Sequence, residues 1–256
     1  MTDGIQAHYD DLGNVIVNPG ESDPDRTDTL FDSAGNDTIR AFRGGNDTID
    51  GNSDDDTIDA GAGKDSVLGG AGMDVLLGQA GEDKLYAKGE STVTAALEYG
   101  ATQQASGMKG DFLDGGADKD ILIGDAGDDA LLGGGGNDIL IGGGNDYLAG
   151  DYEQIFVNLD WSVTRSVTEE TVAGGSGKYT LYSAEFTNAY LADSATGGEN
   201  FLYGGAGDDW LIGGAKTDLL NGGANEMFGG GGDSWSQHPM RLGYGAQWSR
   251  TESPNF

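Results

Sequence analysis

The chain has 256 residues, and its 44 acidic side chains outnumber 13 basic ones, for a formal charge of −31. That balance excludes a nucleic-acid-binding surface, which needs a basic stripe. No apolar run is long enough to span a bilayer, and with no cysteine and two histidines there is almost nothing for a soft metal to bind.

Residues 1–31 carry Tyr9, Val15, Ile16 and Val17 around a turn at Asp11-Leu12-Gly13-Asn14 and read as a short hairpin that caps the first coil of a repeat beginning at residue 32. Met1-Thr2-Asp3-Gly4 lacks the charged and apolar regions of a secretory signal peptide.

From residue 32 a nonapeptide rhythm sets in. Fifteen times along the chain a Gly-rich turn ends on a fixed position, an Asp in all but one case, with an apolar residue two places later. The clearest copy is Gly69-Gly70-Ala71-Gly72-Met73-Asp74-Val75-Leu76-Leu77. The glycines supply positive φ and close backbone approach. Asn36, Asn46, Asp55, Asp128, Asn137 and Asn145, each just before the repeat position, are the next best residues there. The last three residues make a very short strand whose middle residue points into a core, because strand side chains alternate.

The first block, residues 32–86, holds Asp37, Asp47, Asp56, Asp65, Asp74 and Asp83, followed in phase by Ile39, Ile49, Ile58, Val67, Leu76 and Leu85. Residues 87–105 interrupt it as an excursion loop, with Thr92 to Tyr99 either a helical turn or part of that loop. The step from Asp83 to Asp111 is 28 residues, one more than three repeats, so either a second stack starts or one degenerate coil bridges the gap.

The second block, 106–150, holds Asp111, Asp120, Asp129, Asp138 and Asp146, with Leu113, Leu122, Leu131, Leu140 and Leu148 inward. Ile121, Ile123, Ile139 and Ile141 flank those leucines on one outer face, where the first block has Thr48, Asp50, Thr57 and Asp59. Four isoleucines in water make an apolar patch that something must cover. The segment 151–194, or a neighbouring domain, is the expected cover. In that segment Ile155, Val157, Leu159, Trp161 and Val163 alternate before Gly174-Gly175-Ser176-Gly177, and Tyr179, Leu181 and Phe186 come after it, which predicts an inserted β-hairpin.

The third block, 195–233, has Asn200, Asp209, Asp218 and Asp233 at the fixed position, with Leu202, Leu211, Leu220 and Trp235 in phase. Residues 234–256, with Trp235, Tyr244, Trp248, Phe256, Arg241 and Arg250, read as an aromatic cap over the last coil, or else as a glycan- or partner-binding surface. Two nonapeptides make one coil with a strand on each side. The predicted fold is therefore all-β, a parallel β-roll solenoid with capping segments and an inserted hairpin.

These residues resemble the RTX (haemolysin-type) calcium-binding nonapeptide repeats of secreted haemolysins, metalloproteases, lipases and adhesins, over Asp32–Tyr86, Ser106–Gly150 and Ala195–Asn221. The resemblance implies several Ca²⁺ ions, on the order of five to ten, held between successive turns of a column by repeat carboxylates and turn carbonyls. The implied ligands are Asp37, Asp47, Asp56, Asp65, Asp74, Asp83, Asp111, Asp120, Asp129, Asp138, Asp146, Asp209 and Asp218. Asn200 weakens its own site, and Gly51-Asn52-Ser53-Asp54 departs from the Gly-rich turn before Asp56. Oxygen-only ligation suits this hard cation.

The resemblance also implies a secreted or cell-surface protein, exported by the type I route, although Ser249 to Phe256 is no clear match to that route's C-terminal signal. A chain so acidic, with one inward aliphatic per nonapeptide, cannot offset backbone ordering alone, so folding is expected to follow Ca²⁺ binding outside the cell. No catalytic constellation is visible. His8 and His238 lie in the flanks, there is no H-E-x-x-H or G-x-S-x-G, and Ser176 has no base placed near it. The expected function is a calcium-binding structural and secretion module. The alternatives are an accessory C-terminal domain of an extracellular hydrolase whose catalytic segment lies elsewhere, or an adhesin that binds glycan.

Overall fold

The computed structural model describes residues 6–8, 15–17, 27–32, 34–41, 44–100, 108–171, 178–194, 196–222, 226–228 and 234–236. Three-residue strands separated by turns alternate between two parallel sheets, as two repeats per coil require. The first sheet runs β1 (Gln6–His8), β3 (Thr29–Phe31), β5 (Thr48–Asp50), β7 (Ser66–Leu68), β9 (Lys84–Tyr86), β11 (Ile121–Ile123), β13 (Ile139–Ile141), β17 (Phe201–Tyr203), β19 (Asp218–Asn221), β21 (Ser234–Ser236). The second runs β2 (Val15–Val17), β4 (Thr38–Arg40), β6 (Thr57–Asp59), β8 (Val75–Leu77), β10 (Lys109–Ala117), β12 (Asp128–Gly135), β14 (Tyr147–Ala149), β18 (Trp210–Ile212), β20 (Glu226–Phe228).

Between the sheets lies a single file of aliphatics. Leu30 and every inward residue predicted from Ile39 to Leu220 are at most 2% exposed. Each stacks on its counterpart one coil away, as in Leu76↔Leu113↔Leu131. Burying such a side chain is worth about 1.5–3 kcal/mol, so the stack drives closure while leaving the turns to be stabilised separately.

Several local expectations are corrected. The N-terminal segment is not a hairpin. β1 and β2 fall on opposite sheets and pair in parallel with β3 and β4, Ala7 facing Leu30 and Ile16 facing Ile39, so they form the first coil. The solenoid also does not restart after the excursion, nor does a degenerate coil bridge it. β8 pairs directly with β10 and β9 with β11, so the whole insertion hangs from one turn. At the other end, β20 continues the second sheet, with Met227 facing Leu211. In β21 the backbone partner of Leu220 is Ser236, and Trp235 pairs with Leu219. Asp233 and the aromatic residues Tyr244, Trp248 and Phe256 lie outside the described residues.

The cover over the isoleucines differs from the expectation as well. Helix α1 (Val93–Gly100) begins at Thr92, whose Oγ1 accepts the N–H of Ala95 at 3.2 Å as a cap. It lays Val93, Ala96 and Leu97 on Tyr86, Ile121, Ile123, Ile139 and Ile141. The hairpin of β15 (Tyr152–Thr171) and β16 (Lys178–Asp193) covers the opposite sheet. There Val75, Phe112, Ala130, Leu132, Tyr147 and Ile212 meet Trp161, Phe186 and Val163. Each insertion packs on the sheet whose strand it leaves: α1 comes after β9, and the hairpin after β14. Trp161 is 1% exposed and meets Phe112 edge-on at 5.4 Å. Lys109 crosses its ring at 4.9 Å and donates from Nζ to the Leu159 carbonyl at 2.6 Å. Among the described residues no helix is long and apolar enough to cross a membrane.

Candidate metal centre

The turns owe their shape to a few left-handed residues. Gly70 and Gly72 have φ of 112° and 155°. A side chain on Gly63 would run into the carbonyl of Gly45 one coil back, and one on Gly81 into that of Gly63. The turn before Asp56 differs in composition but not in course, because Asn52 and Asp54 take φ of 71° and 74°, which short polar side chains tolerate.

This stacking builds two ladders of carboxylates. In each, the N–H of one repeat residue donates to Oδ1 of the next repeat residue in its column. One ladder joins Asp28, Asp47, Asp65, Asp83, Asp120, Asp138, Asn200 and Asp218. The other joins Asp37, Asp56, Asp74, Asp111, Asp129, Asp146 and Asp209. The bonds measure between 2.6 Å (Asp74 to Asp111) and 2.9 Å (Asp120 to Asp138). They run unbroken across both insertions, from Asp74 to Asp111 and from Asp138 to Asn200. All thirteen aspartates predicted as ligands stand on these ladders, and none is more than 3% exposed.

The second oxygen decides what the turns can bind. Oδ2 of Asp56, Asp65, Asp74, Asp83, Asp120, Asp138 and Asp218 is buried and accepts no hydrogen bond. At Asp56, Asp74, Asp83 and Asp138 it lies near a backbone carbonyl of the following coil. A Cβ on Gly51 would stand 2.5 Å from Asp56 Oδ2 and 2.6 Å from the Gly69 carbonyl, and one on Gly78 2.5 Å from both Asp83 Oδ2 and the Gly115 carbonyl. A buried carboxylate oxygen without a donor costs free energy, and a hard cation satisfies it together with a nearby carbonyl. The residues present therefore fit Ca²⁺.

Burial, and then neighbouring carboxylates of the same column, push these acids up: Asp56 to about 8, Asp65 and Asp74 to about 7, and Asp120 to about 9. Asp111, buried beside Asp129, is held at about 9. A cation among these carboxylates would favour their charged form.

Carboxylates outside the predicted set join the sites. Asp28 is a repeat position that lies nine residues before Asp37, with Leu30 in phase, and that spacing is the signal that reveals it. Asp32 converges with Asp37 and Asp56, and Asp125 with Asp111 and Asp129, each trio bringing carboxylate oxygens within 4.8 Å of one another. Asp32 and Asp125 occupy turn positions where other repeats have glycine, so no periodic signal marks them.

Repeated pairs of buried acceptors along two columns of turns define a calcium-binding parallel β-roll. A family model for the RTX calcium-binding nonapeptide repeat (4 copies) matches residues 25–44, 43–76, 68–89, 107–140, 124–151 and 194–226. These cover more than half of the chain, which therefore belongs to the family of RTX calcium-binding repeat proteins. No curated protein and no solved structure matches it.

Proposed function

We propose that the chain is a calcium-triggered folding module of a secreted protein. In this reading Ca²⁺ is held by the second oxygens of Asp56, Asp65, Asp74, Asp83, Asp120, Asp138 and Asp218 with nearby turn carbonyls. Asp37, Asp47, Asp111, Asp129 and Asp209 serve the remaining turns, assisted by Asp32 and Asp125. The ion supplies the positive charge that the two ladders lack. The observation that carries the reading is the set of seven buried Oδ2 atoms without a donor.

Extracellular modules bind Ca²⁺ at roughly 10⁻⁴–10⁻³ M, so the chain stays open at cytosolic calcium and closes after export, and the type I route suits such a chain. Closed, the roll is a stiff rod that presents the hairpin and α1 and any domain joined to it. A circular dichroism titration tests this. The sheet signal grows with added Ca²⁺ and is reversed by chelator; a spectrum indifferent to calcium contradicts it.

A further inference from the structure

At the coil that carries the hairpin, N–H donors stand at both turns where bare oxygens stand at the seven aspartates above; elsewhere on the ladders, Asp129 Oδ2 accepts one N–H, that of Asp125, at 2.8 Å. The two repeat residues of the hairpin-bearing coil are Asn200 in the first ladder and Asp146 in the second, and the hairpin is inserted between them. Asn200 Oδ1 accepts the N–H of Asp138 at 2.8 Å, as the repeat aspartates accept theirs. Its Nδ2 stands where the others place Oδ2. A Cβ on Gly150 would meet Asn200 Nδ2 and the Gly213 carbonyl, just as one on Gly51 would meet Asp56 Oδ2 and the Gly69 carbonyl. Here, however, the amide donates across the gap, to the Gly213 carbonyl at 3.2 Å and to Asp151 Oδ1 at 2.8 Å. A cation at this point would meet N–H protons rather than lone pairs.

Asp151 completes the closure. It is 4% exposed; its Oδ1 also accepts the N–H of Gly198 at 2.9 Å, and its Oδ2 accepts that of Ala215 at 2.5 Å. Its carbonyl accepts the N–H of Ser194 at 2.7 Å, which ties together the two chain segments that enter and leave the hairpin.

The opposite turn of the same coil reaches the same end by another route. The step from Asp138 to Asp146 is eight residues instead of nine. The shortened turn aims two successive N–H groups, of Gly143 and Gly144, at Asp146 Oδ2, at 2.6 and 3.0 Å. Consecutive backbone N–H groups form an anion-binding nest, and here the anion is the protein's own carboxylate.

We infer that the hairpin-bearing coil is closed by N–H donors at both of its turns and holds its shape without calcium, so that ion binding folds the coils on either side of it onto a preformed anchor. This rests on the calcium-module reading above, and removes Asp146 from the ligands that the repeat pattern suggests.

Hydrogen–deuterium exchange of the full chain, in excess chelator and in millimolar Ca²⁺, separates the two readings. Calcium raises protection of peptides within 44–83 by about tenfold or more, while peptides covering 142–151 and 196–215 are protected in both conditions and change by less than about twofold. An equal gain in all of these peptides overturns the anchor and leaves the module reading standing; no gain anywhere overturns both. Asn200→Asp sharpens the result. It replaces the donor with an acceptor facing Asp151 and the Gly213 carbonyl, so native mass spectrometry in millimolar Ca²⁺ shows one more bound ion than in wild type, and peptide 196–215 becomes calcium-dependent. An unchanged ion count contradicts the assignment.

Discussion

The first block, β3 to β9, and the middle of the roll, β10 to β18, share a repeat but are held differently. In the first block the inward aliphatics are the main apolar layer, and Thr48, Asp50, Thr57 and Asp59 face outward. In the middle both outer faces are apolar and covered, one by α1 and the other by the hairpin. A β-roll with a one-residue-wide core has little of its own to set against backbone entropy. It can gain stability from cations in the turns or from layers added outside the sheets, and this chain uses each in a different stretch.

The comparison can be broken most strongly at the hairpin. Trp161→Ala removes the largest buried side chain of the outer layer. It should lower the stability of the calcium-loaded middle segment by about 3–5 kcal/mol, read by denaturant unfolding, while exchange protection within 44–65 stays as in wild type. Equal loss in both regions would show that the two stretches are not separately held.

The turns give the next effect. Gly63→Ala places a methyl group against the Gly45 carbonyl at a φ of 148°. Strain of this kind costs about 1–3 kcal/mol, and the calcium midpoint should rise. Gly89→Ala, with nothing within 4 Å of the new carbon, should be neutral.

Acid should partly replace calcium in the first block. Asp56, Asp65 and Asp74 hold protons up to about 8, 7 and 7 when folded without metal, against an ordinary 3.8. The folded coils therefore bind protons that the unfolded chain releases. Their metal-free stability is greatest below about pH 4 and declines as pH rises through 7 and 8. Circular dichroism in chelator should show sheet signal gained as pH falls from 8 toward 4, and a signal that grows with pH would contradict this. The smallest effect belongs to α1: Leu97→Ala trims a half-buried contact and should cost about 1 kcal/mol, confined by exchange to the neighbourhood of Ile123 and Ile141.

The alternation of turn and inward aliphatic could be read from the chain because it depends on local backbone geometry and a fixed period. The ladders result from it, since two repeats per coil bring Asp56 above Asp74. The covers of the sheets could not be read in the same way. Outward apolar residues occur on both faces, Ile121 and Ile139 on one, Phe112 and Tyr147 on the other. Which insertion covers which face depends on where the chain leaves the roll. Asp151 was hidden for a related reason. It lies outside the nonapeptide phase, and its role arises only when residues 47 to 64 places away fold back onto it.

The central claim, that calcium fills the turns where buried oxygens lack donors, is tested most directly by diffraction from crystals grown in millimolar Ca²⁺ with the anomalous signal recorded. The account predicts peaks beside Oδ2 of Asp56, Asp65, Asp74, Asp83, Asp120 and Asp138 and none beside Asn200. Empty turns at those aspartates under the same conditions would contradict it.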